Sequence, residues 1–251
     1  MHGLCLKMAY ETFAFVYDEV MDKSLYEKWY EFSKRHLKGK TQLLELACGT
    51  GALACRFAKG GYDVTALDLS EEMLMIASQR ALEADVSVQF IEGDMLDLND
   101  IGEYDAVTCF SDSLCYMPDE QAVQQVFDGV YQILNAEGIF IFDVHSLYQI
   151  NEVFPDYNYH YQTDDFAFLW ESYQGQLPNS IEHFLTFFVA QDAESDLFER
   201  RDELHKERTY SLELYQRMLE NAGFSQVACL GDFTDSEPNE KTRRWFFVCQ
   251  K

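Results

Sequence analysis

Apolar positions along this chain follow two rhythms. Between residues 42 and 144, short continuous apolar runs alternate with longer segments whose apolar residues recur every three to four positions. The runs cover 42–47, 63–67, 86–91, 105–110 and 139–144. Each has strand length, and an unbroken apolar strand is one covered on both faces. A helix is predicted to begin near Gly51 and end at Gly60-Gly61. Ser70 caps the next, with Glu71 and Glu72 in its first turn and a stripe of Met73, Ile76, Ala77, Ala81 and Ala84. Val123, Val126, Phe127, Val130 and Leu134 predict a long helix over 119–135. A further helix over 25–37 opens the pattern, with Ser24-Leu25-Tyr26-Glu27 as its capping box and Trp29, Phe32 and His36/Leu37 at helical spacing. Strands alternating with helices predict an α/β fold, a doubly wound parallel sheet.

After Ser146 the rhythm changes. Residues 154–198 are dense in aromatics and read with period two. Phe166, Phe168 and Trp170 share one strand face, 184–189 forms another strand, and Gly175, Pro178, Asn179 and Ser180 mark the turn between them. This predicts an antiparallel β cap, residues 148–205, inserted over the sheet. The core then comprises 8–147 and 206–251. Its last part holds a helix with Tyr215, Met218, Leu219 and Ala222, closed by Gly223, and strands over 227–230 and 245–249. Met8 offers an alternative start, so the first seven residues, too short for a secretory signal, are set aside.

Composition narrows the function. With 47% apolar residues in 251, the core needs no staples. Seven cysteines at irregular spacing, without a Cys-x-x-Cys, predict reduced buried thiols in a cytoplasmic protein and no metal site. No apolar stretch is long enough for a membrane span. A net charge of −25 repels a phosphate backbone and makes nucleic acid a poor partner. It suits a cationic or neutral small molecule. Nothing in the pattern sets an oligomeric state.

The chemistry concentrates at residues 43–51 and Asp68. Gly49 and Gly51, with Ala54, form a G-x-G-x-x-A turn after the first strand. Such a turn lets a ligand approach the backbone closely. Asp68 lies at the tip of the second strand, where a carboxylate accepts ribose hydroxyls. Two ligands fit, a dinucleotide and S-adenosylmethionine. Glu45 sits inside the first strand, facing the crevice, and no Lys or Arg lies between Thr41 and Cys55. That is a poor seat for a pyrophosphate and a good one for a cationic sulfonium compound. Gly93-Asp94-Met95, after the third strand, supplies an acceptor and an apolar contact for adenine.

Glu45-Leu46-Ala47-Cys48-Gly49-Thr50-Gly51, Asp68-Leu69-Ser70-Glu71-Glu72-Met73-Leu74, Gly93-Asp94-Met95 and Tyr104-Asp105-Ala106-Val107 resemble, in order, the motifs of class I S-adenosylmethionine-dependent methyltransferases. The resemblance covers about residues 42–145. It implies a Rossmann-like seven-stranded sheet with the last strand antiparallel. It places Glu45, Ala47, Gly49 and Gly51 beside the methionine portion, Asp68 on the ribose, and Leu69, Asp94 and Met95 on the adenine. Phe110 and Ser111 would pass beneath the sulfonium. Tyr17-Asp18, residues 110–116 and residues 205–215 are similar to stretches of small-molecule N-methyltransferases acting on amino sugars and glycine. This implies that Tyr17 and Trp29 close over the methionine end.

Methyl transfer is an in-line displacement that needs alignment and exclusion of water. A neutral amine needs little base, whereas a hydroxyl acceptor needs one. Groups predicted near the strand tips are Tyr116, Asp143 and His145, with His205 from the insertion. Methylases of base amino groups carry Asn or Asp, then Pro-Pro and an aromatic, after the fourth strand. This chain has Ser111-Asp112-Ser113-Leu114 there. The expectation is a methyltransferase acting on a small molecule, most simply an amine. An RNA or tRNA methylase, a nicotinamide-dependent oxidoreductase and a non-catalytic cofactor binder are the rivals.

Overall fold

The computed structural model describes residues 20, 22–191 and 197–251. Helix α1 (Lys23–His36) leads into β1 (Gln42–Leu46), α2 (Ala52–Lys59), β2 (Asp63–Asp68), α3 (Glu71–Glu83) and β3 (Val88–Glu92). Then follow β4 (Tyr104–Cys109), a 3₁₀ turn (Ser113–Tyr116), α4 (Glu120–Ile133) and β5 (Leu134–His145). A π turn (Gln149–Val153) opens the insertion, whose strands are β6 (Asn158–Gln162), β7 (Phe166–Gln174), β8 (Ser180–Ala190) and β9 (Phe198–Arg208). Helix α5 (Leu212–Ala222), β10 (Gln226–Gly231) and β11 (Arg244–Gln250) complete the chain.

The main sheet has seven strands in the order β10-β11-β5-β4-β1-β2-β3. β1 to β5 pair in parallel, and β11 runs antiparallel between β5 and β10. The chain therefore winds outward from β1 through β2 to β3, then returns to place β4 on β1's other side. That reversal leaves a crevice at the carboxyl ends of β1 and β4, the place where doubly wound sheets bind ligands. Leu46 pairs with Leu67 and Cys109, and Cys109 with Phe142, so the loops leaving β1, β2, β4 and β5 share one edge.

Both faces are buried, which accounts for the continuous apolar strands. Leu44, Leu46, Val107, Phe140, Phe142 and Phe247 pack on one side with α4 and α5 through Val126, Phe127, Tyr215 and Leu219. Leu43, Ala106, Ile141 and Phe246 face the other side, against Trp29 and Phe32 of α1 and Leu53 and Phe57 of α2. The described cysteines are free thiols, mostly buried. Among the described residues no helix is long and apolar enough to cross a membrane.

Three local expectations shift. The cap of α1 is Asp22, which accepts the Ser24 N–H at 2.9 Å, rather than Ser24 itself. β3 begins at Val88, because Asp85 adopts a left-handed conformation (φ +53°) just after α3. The insertion is a four-stranded antiparallel sheet, β6-β7-β8-β9, and β9 runs on to Arg208.

Gly51 caps α2 with φ +70°, and a Cβ there would lie 2.7 Å from Ala77 Cβ on α3. Gly51→Ala is expected to lose about 2 kcal/mol, combining left-handed strain with helix displacement. Thermal unfolding checks it; an unchanged melting temperature would show that α3 yields freely.

Candidate active site

The turn after β1 is held in a conformation few side chains tolerate. Ala47, Gly49 and Gly51 all have positive φ (+52°, +53° and +70°). The Gly49 N–H donates to Asp68 Oδ2 at 2.7 Å, and the Ser70 N–H donates to Asp68 Oδ1 at 2.9 Å. Asp68 thereby locks the tip of β2 to the turn, and each carboxylate oxygen keeps a lone pair for a further donor. A Cβ on Gly49 would meet nothing within 4 Å, so the turn opens onto free space.

Glu45 lies within this edge, 4% exposed, and its Oε2 has no hydrogen-bond partner. Burial pushes its carboxyl well above the usual range, and Asp68 adds to the effect. An orphaned buried acid beside an open turn suits a cationic ligand and opposes a pyrophosphate. Leu69 follows Asp68 with 71% of its surface exposed. Asp94 accepts the Leu96 N–H at 2.9 Å in the neighbouring loop, and Met95 packs against the core from that loop. Gly93 N–H bonds Asp68 C=O at 3.0 Å, which ties this loop to the β2 tip. The residues thus fit a phosphate-free adenosine compound carrying positive charge.

Beyond β4 the chain makes two left-handed residues in succession, Ser111 (φ +58°) and Asp112 (φ +53°). Strain of this kind persists only where the surroundings hold it. Here they do. The Asp112 N–H donates to Asp143 Oδ1 at 3.1 Å, and Arg244 pairs with Asp112 and, at 2.7 Å, with Asp143 Oδ2. The Trp29 indole N–H donates to the same Asp143 oxygen at 2.7 Å. Arg244 reaches this edge because β11 is antiparallel, and its first residue pairs with His145, the last of β5. Burial raises the Asp143 carboxyl, partly countered by Arg244 and reinforced by Asp112. For Asp112 burial acts in the same upward direction, but Arg244 and His145 outweigh it and hold the acid well below its ordinary value.

A second cluster extends this one into the cap. His145 Nε2 lies 3.2 Å from Asp112 Oδ2 and 3.3 Å from Glu207 Oε2. Glu207 is the penultimate residue of β9, 5% exposed. Burial pushes its carboxyl up to about 7, with His145 opposing and Asp112 adding. On its other side is His183 Nε2, 3.6 Å from Oε1. His183 Nδ1 accepts the Trp170 indole N–H at 3.1 Å, so Nε2 carries the ring proton, and it makes no hydrogen bond. Burial, with His145 adding to it, lowers His183 to about 4. Tyr116 and His205 meet at 3.0 Å, hydroxyl to Nδ1.

The predicted residues therefore fall into distinct settings. Glu45 and Asp68 lie at the ends of β1 and β2, and Ala47, Gly49, Gly51, Leu69, Asp94, Met95 and Ser111 lie on the loops at the same edge of the sheet. Phe110 is 4% exposed and stacks on Trp29, with centroids 6.2 Å apart. Trp29, expected to close over the ligand, is 1% exposed and shut into the core, where its indole N–H serves Asp143. Asp143, expected to act on the acceptor, is fully buried, with both oxygens already engaged. His145 is buried and Tyr116 and His205 remain partly open. Tyr17 lies outside the described residues. Sequence reasoning missed Asp112, His183, Glu207 and Arg244, which converge from four separate segments. No spacing in the chain predicts their meeting.

A strained glycine turn tied to Asp68 and a buried unpaired acid at a β1/β4 switch point define a ligand-binding α/β fold. Comparison with known proteins gives the family. A methyltransferase-domain model matches residues 43–138. A protein of Geobacillus sp. (strain WCH70), named as a methyltransferase, is 40% identical over 249 residues, spanning 97% of this chain and all of the relative. The glycine/sarcosine N-methyltransferase of Halorhodospira halochloris is 27% identical over 222 residues, 80% of this chain and 74% of that protein. The crystal structure of an S-adenosylmethionine-dependent methyltransferase from Clostridium acetobutylicum superposes with a TM-score of 0.84 at 26% identity, over 96% of this chain and 98% of the other. The chain belongs to the S-adenosylmethionine-dependent methyltransferases.

The buried acid makes a specific prediction for this family. Glu45→Gln keeps the shape but removes an ionisation that burial opposes. The ligand-free protein is expected to melt higher at pH 8, while affinity for S-adenosylmethionine falls about tenfold for one lost charge-assisted contact. Calorimetric titration checks it, and equal affinity in the two proteins would remove Glu45 from cofactor recognition.

Proposed function

We propose that the methyl acceptor is a small-molecule amine, held between the strand tips and the four-stranded cap. The observation that carries this reading is Glu207. A cap carboxylate is buried beside Asp112 and His145, with its Oε2 lacking a hydrogen bond. A buried carboxylate oxygen without a hydrogen bond is costly unless a cation completes it. An amine arriving as ammonium does so. The glycine/sarcosine N-methyltransferase, similar over 80% of this chain, supports the same acceptor class, as does the net charge of −25.

The residues then divide the work. S-adenosylmethionine supplies an electrophilic methyl group when bound. Asp68 holds the ribose, Leu69, Asp94 and Met95 hold the adenine, and Glu45 offsets positive charge beside the glycine turn. Ser111 and Phe110 form the floor between donor and acceptor. Asp143, Arg244 and Trp29 act by position: they hold Asp112 in its left-handed conformation. His145 orients the acceptor against Asp112 and Glu207. Little charge builds up in the transition state, so alignment and dryness carry most of the acceleration.

The test is a methyl-transfer assay with glycine, sarcosine, ethanolamine and an aminohexose, each beside its hydroxyl analogue. Turnover of an amine with none of its analogue is expected. Methylation confined to the hydroxyl compounds would overturn the reading.

A further inference from the structure

Four side chains carry the buried acid pocket outward to solvent. Glu207 accepts a hydrogen bond from the Tyr116 hydroxyl. That hydroxyl lies 3.0 Å from His205 Nδ1, and His205 Nε2 lies 3.0 Å from Glu203 Oε2. Glu203, His205 and Glu207 alternate along β9, so they share one face of the cap strand. Tyr116, from the 3₁₀ turn after β4, bridges two of them. Glu207 is buried, whereas His205 and Glu203 are more than a quarter exposed at the side chain.

We propose that Glu207 is the base that takes the proton of the acceptor's ammonium group, and that Tyr116, His205 and Glu203 form the path by which this proton leaves to water. The proposal rests on the amine reading above. The ammonium gives one proton to the Glu207 carboxylate. The freed nitrogen lone pair forms the N–CH₃ bond, and the electron pair of the breaking C–S bond goes to sulfur. The product carries one positive charge, taken over from the sulfonium. The proton on Glu207 passes to the Tyr116 oxygen as the Tyr116 hydroxyl proton moves to His205 Nδ1. His205, protonated on both ring nitrogens, then donates Nε2–H to Glu203 and releases a proton to solvent.

Hydrogen-bond polarity favours this path. With neutral His205, Nε2–H donates to Glu203, Nδ1 accepts from Tyr116, and the Tyr116 oxygen accepts from protonated Glu207. After the shift, Nδ1–H donates to Tyr116 and Tyr116 donates to the Glu207 carboxylate. The Tyr116 oxygen and both His205 nitrogens keep a partner in both states, so the proton moves without displacement of heavy atoms. Burial holds Glu207 up to about 7, a value suited to a base working near neutrality. The groups facing it are Tyr116, His145, His183, Asp112 and, further off, Arg244.

A divalent cation is the competing use of the cluster, since Asp112, His145 and Glu207 bring ligand atoms within 4.8 Å of one another. Arg244 already neutralises Asp112, one of the three groups a cation would need.

The test is ring-nitrogen NMR of the histidines in the ligand-free full chain, with His205 assigned through His205→Gln. Four proteins are compared: wild type, Glu207→Gln, Tyr116→Phe and the double variant. Glu207→Gln is expected to lower the His205 titration midpoint by about half a pH unit or more, as for directly coupled sites. In the Tyr116→Phe background the same change should move it by less than about half as much. No shift in either background, or equal shifts in both, would overturn the relay. Stoichiometric zinc that moves the His145 signals in wild type but not in Glu207→Gln would overturn the base. No acceptor is present, so failure here leaves the amine reading standing, and failure of every amine in the transfer assay leaves the relay measured.

Discussion

Arg244→Ala is expected to destabilise the protein by about 3–5 kcal/mol, the cost of leaving buried charges without their partner. Asp143 is fully buried and the Asp112 side chain 13% exposed, and both pair with this one guanidinium. Its carbon also lies 5.7 Å from the Trp29 ring centroid, so packing is lost with the charge. At roughly 2–4 °C per kcal/mol for a chain of this size, the melting temperature should fall by about 6–20 °C. Arg244→Ala combined with Asp143→Asn should recover part of the loss, because one orphaned charge disappears. A single variant within about 1 kcal/mol of wild type would mean that the left-handed turn at Ser111-Asp112 needs no anchor.

Glu207 predicts a pH dependence of stability. Its carboxyl is pushed up to about 7 in the folded protein, against an ordinary value of 4.5. A raised acid holds its proton more tightly when folded, so its contribution is complete below about 4.5 and is lost as pH rises through about 7. The total is about 3 kcal/mol, at 1.36 kcal/mol per unit. Glu45 and Asp143 are raised as well and titrate with the same sign. The informative quantity is therefore wild-type stability minus that of Glu207→Gln, from urea unfolding between pH 4.5 and 8. This difference should fall steadily across the interval. A flat or rising difference would place Glu207 in a wetter setting than the fold gives it.

The core was legible because it obeys local rules. Strands covered on both faces must be apolar throughout, so β1, β2, β4 and β5 appear as runs, and Ser70 caps α3 as its spacing predicts, accepting the Met73 N–H. The cap was only half legible. β7 and β8 carry aromatics in alternation, but β6 is exposed at every position, and β9 (FERRDELHKER) is mostly charged. Both edge strands are held by pairing to their neighbours, which no local pattern announces.

The candidate site divides in the same way. The glycine turn, Asp68 and Glu45 are close in sequence or follow directly from the βαβ unit. Asp143 and Arg244 are 101 residues apart and meet only because β11 runs antiparallel to β5. Trp29 shows the limit of residue type as a guide. An aromatic near a ligand edge suggests a lid, yet here the ring is buried and its indole N–H donates to the Asp143 carboxylate beside Arg244.

The most direct measurement follows labelled methyl from S-adenosylmethionine into a pooled small-molecule extract and, in parallel, into total tRNA. The proposed amine acceptor predicts label in small cationic compounds retained on a cation exchanger. Label confined to tRNA would contradict it.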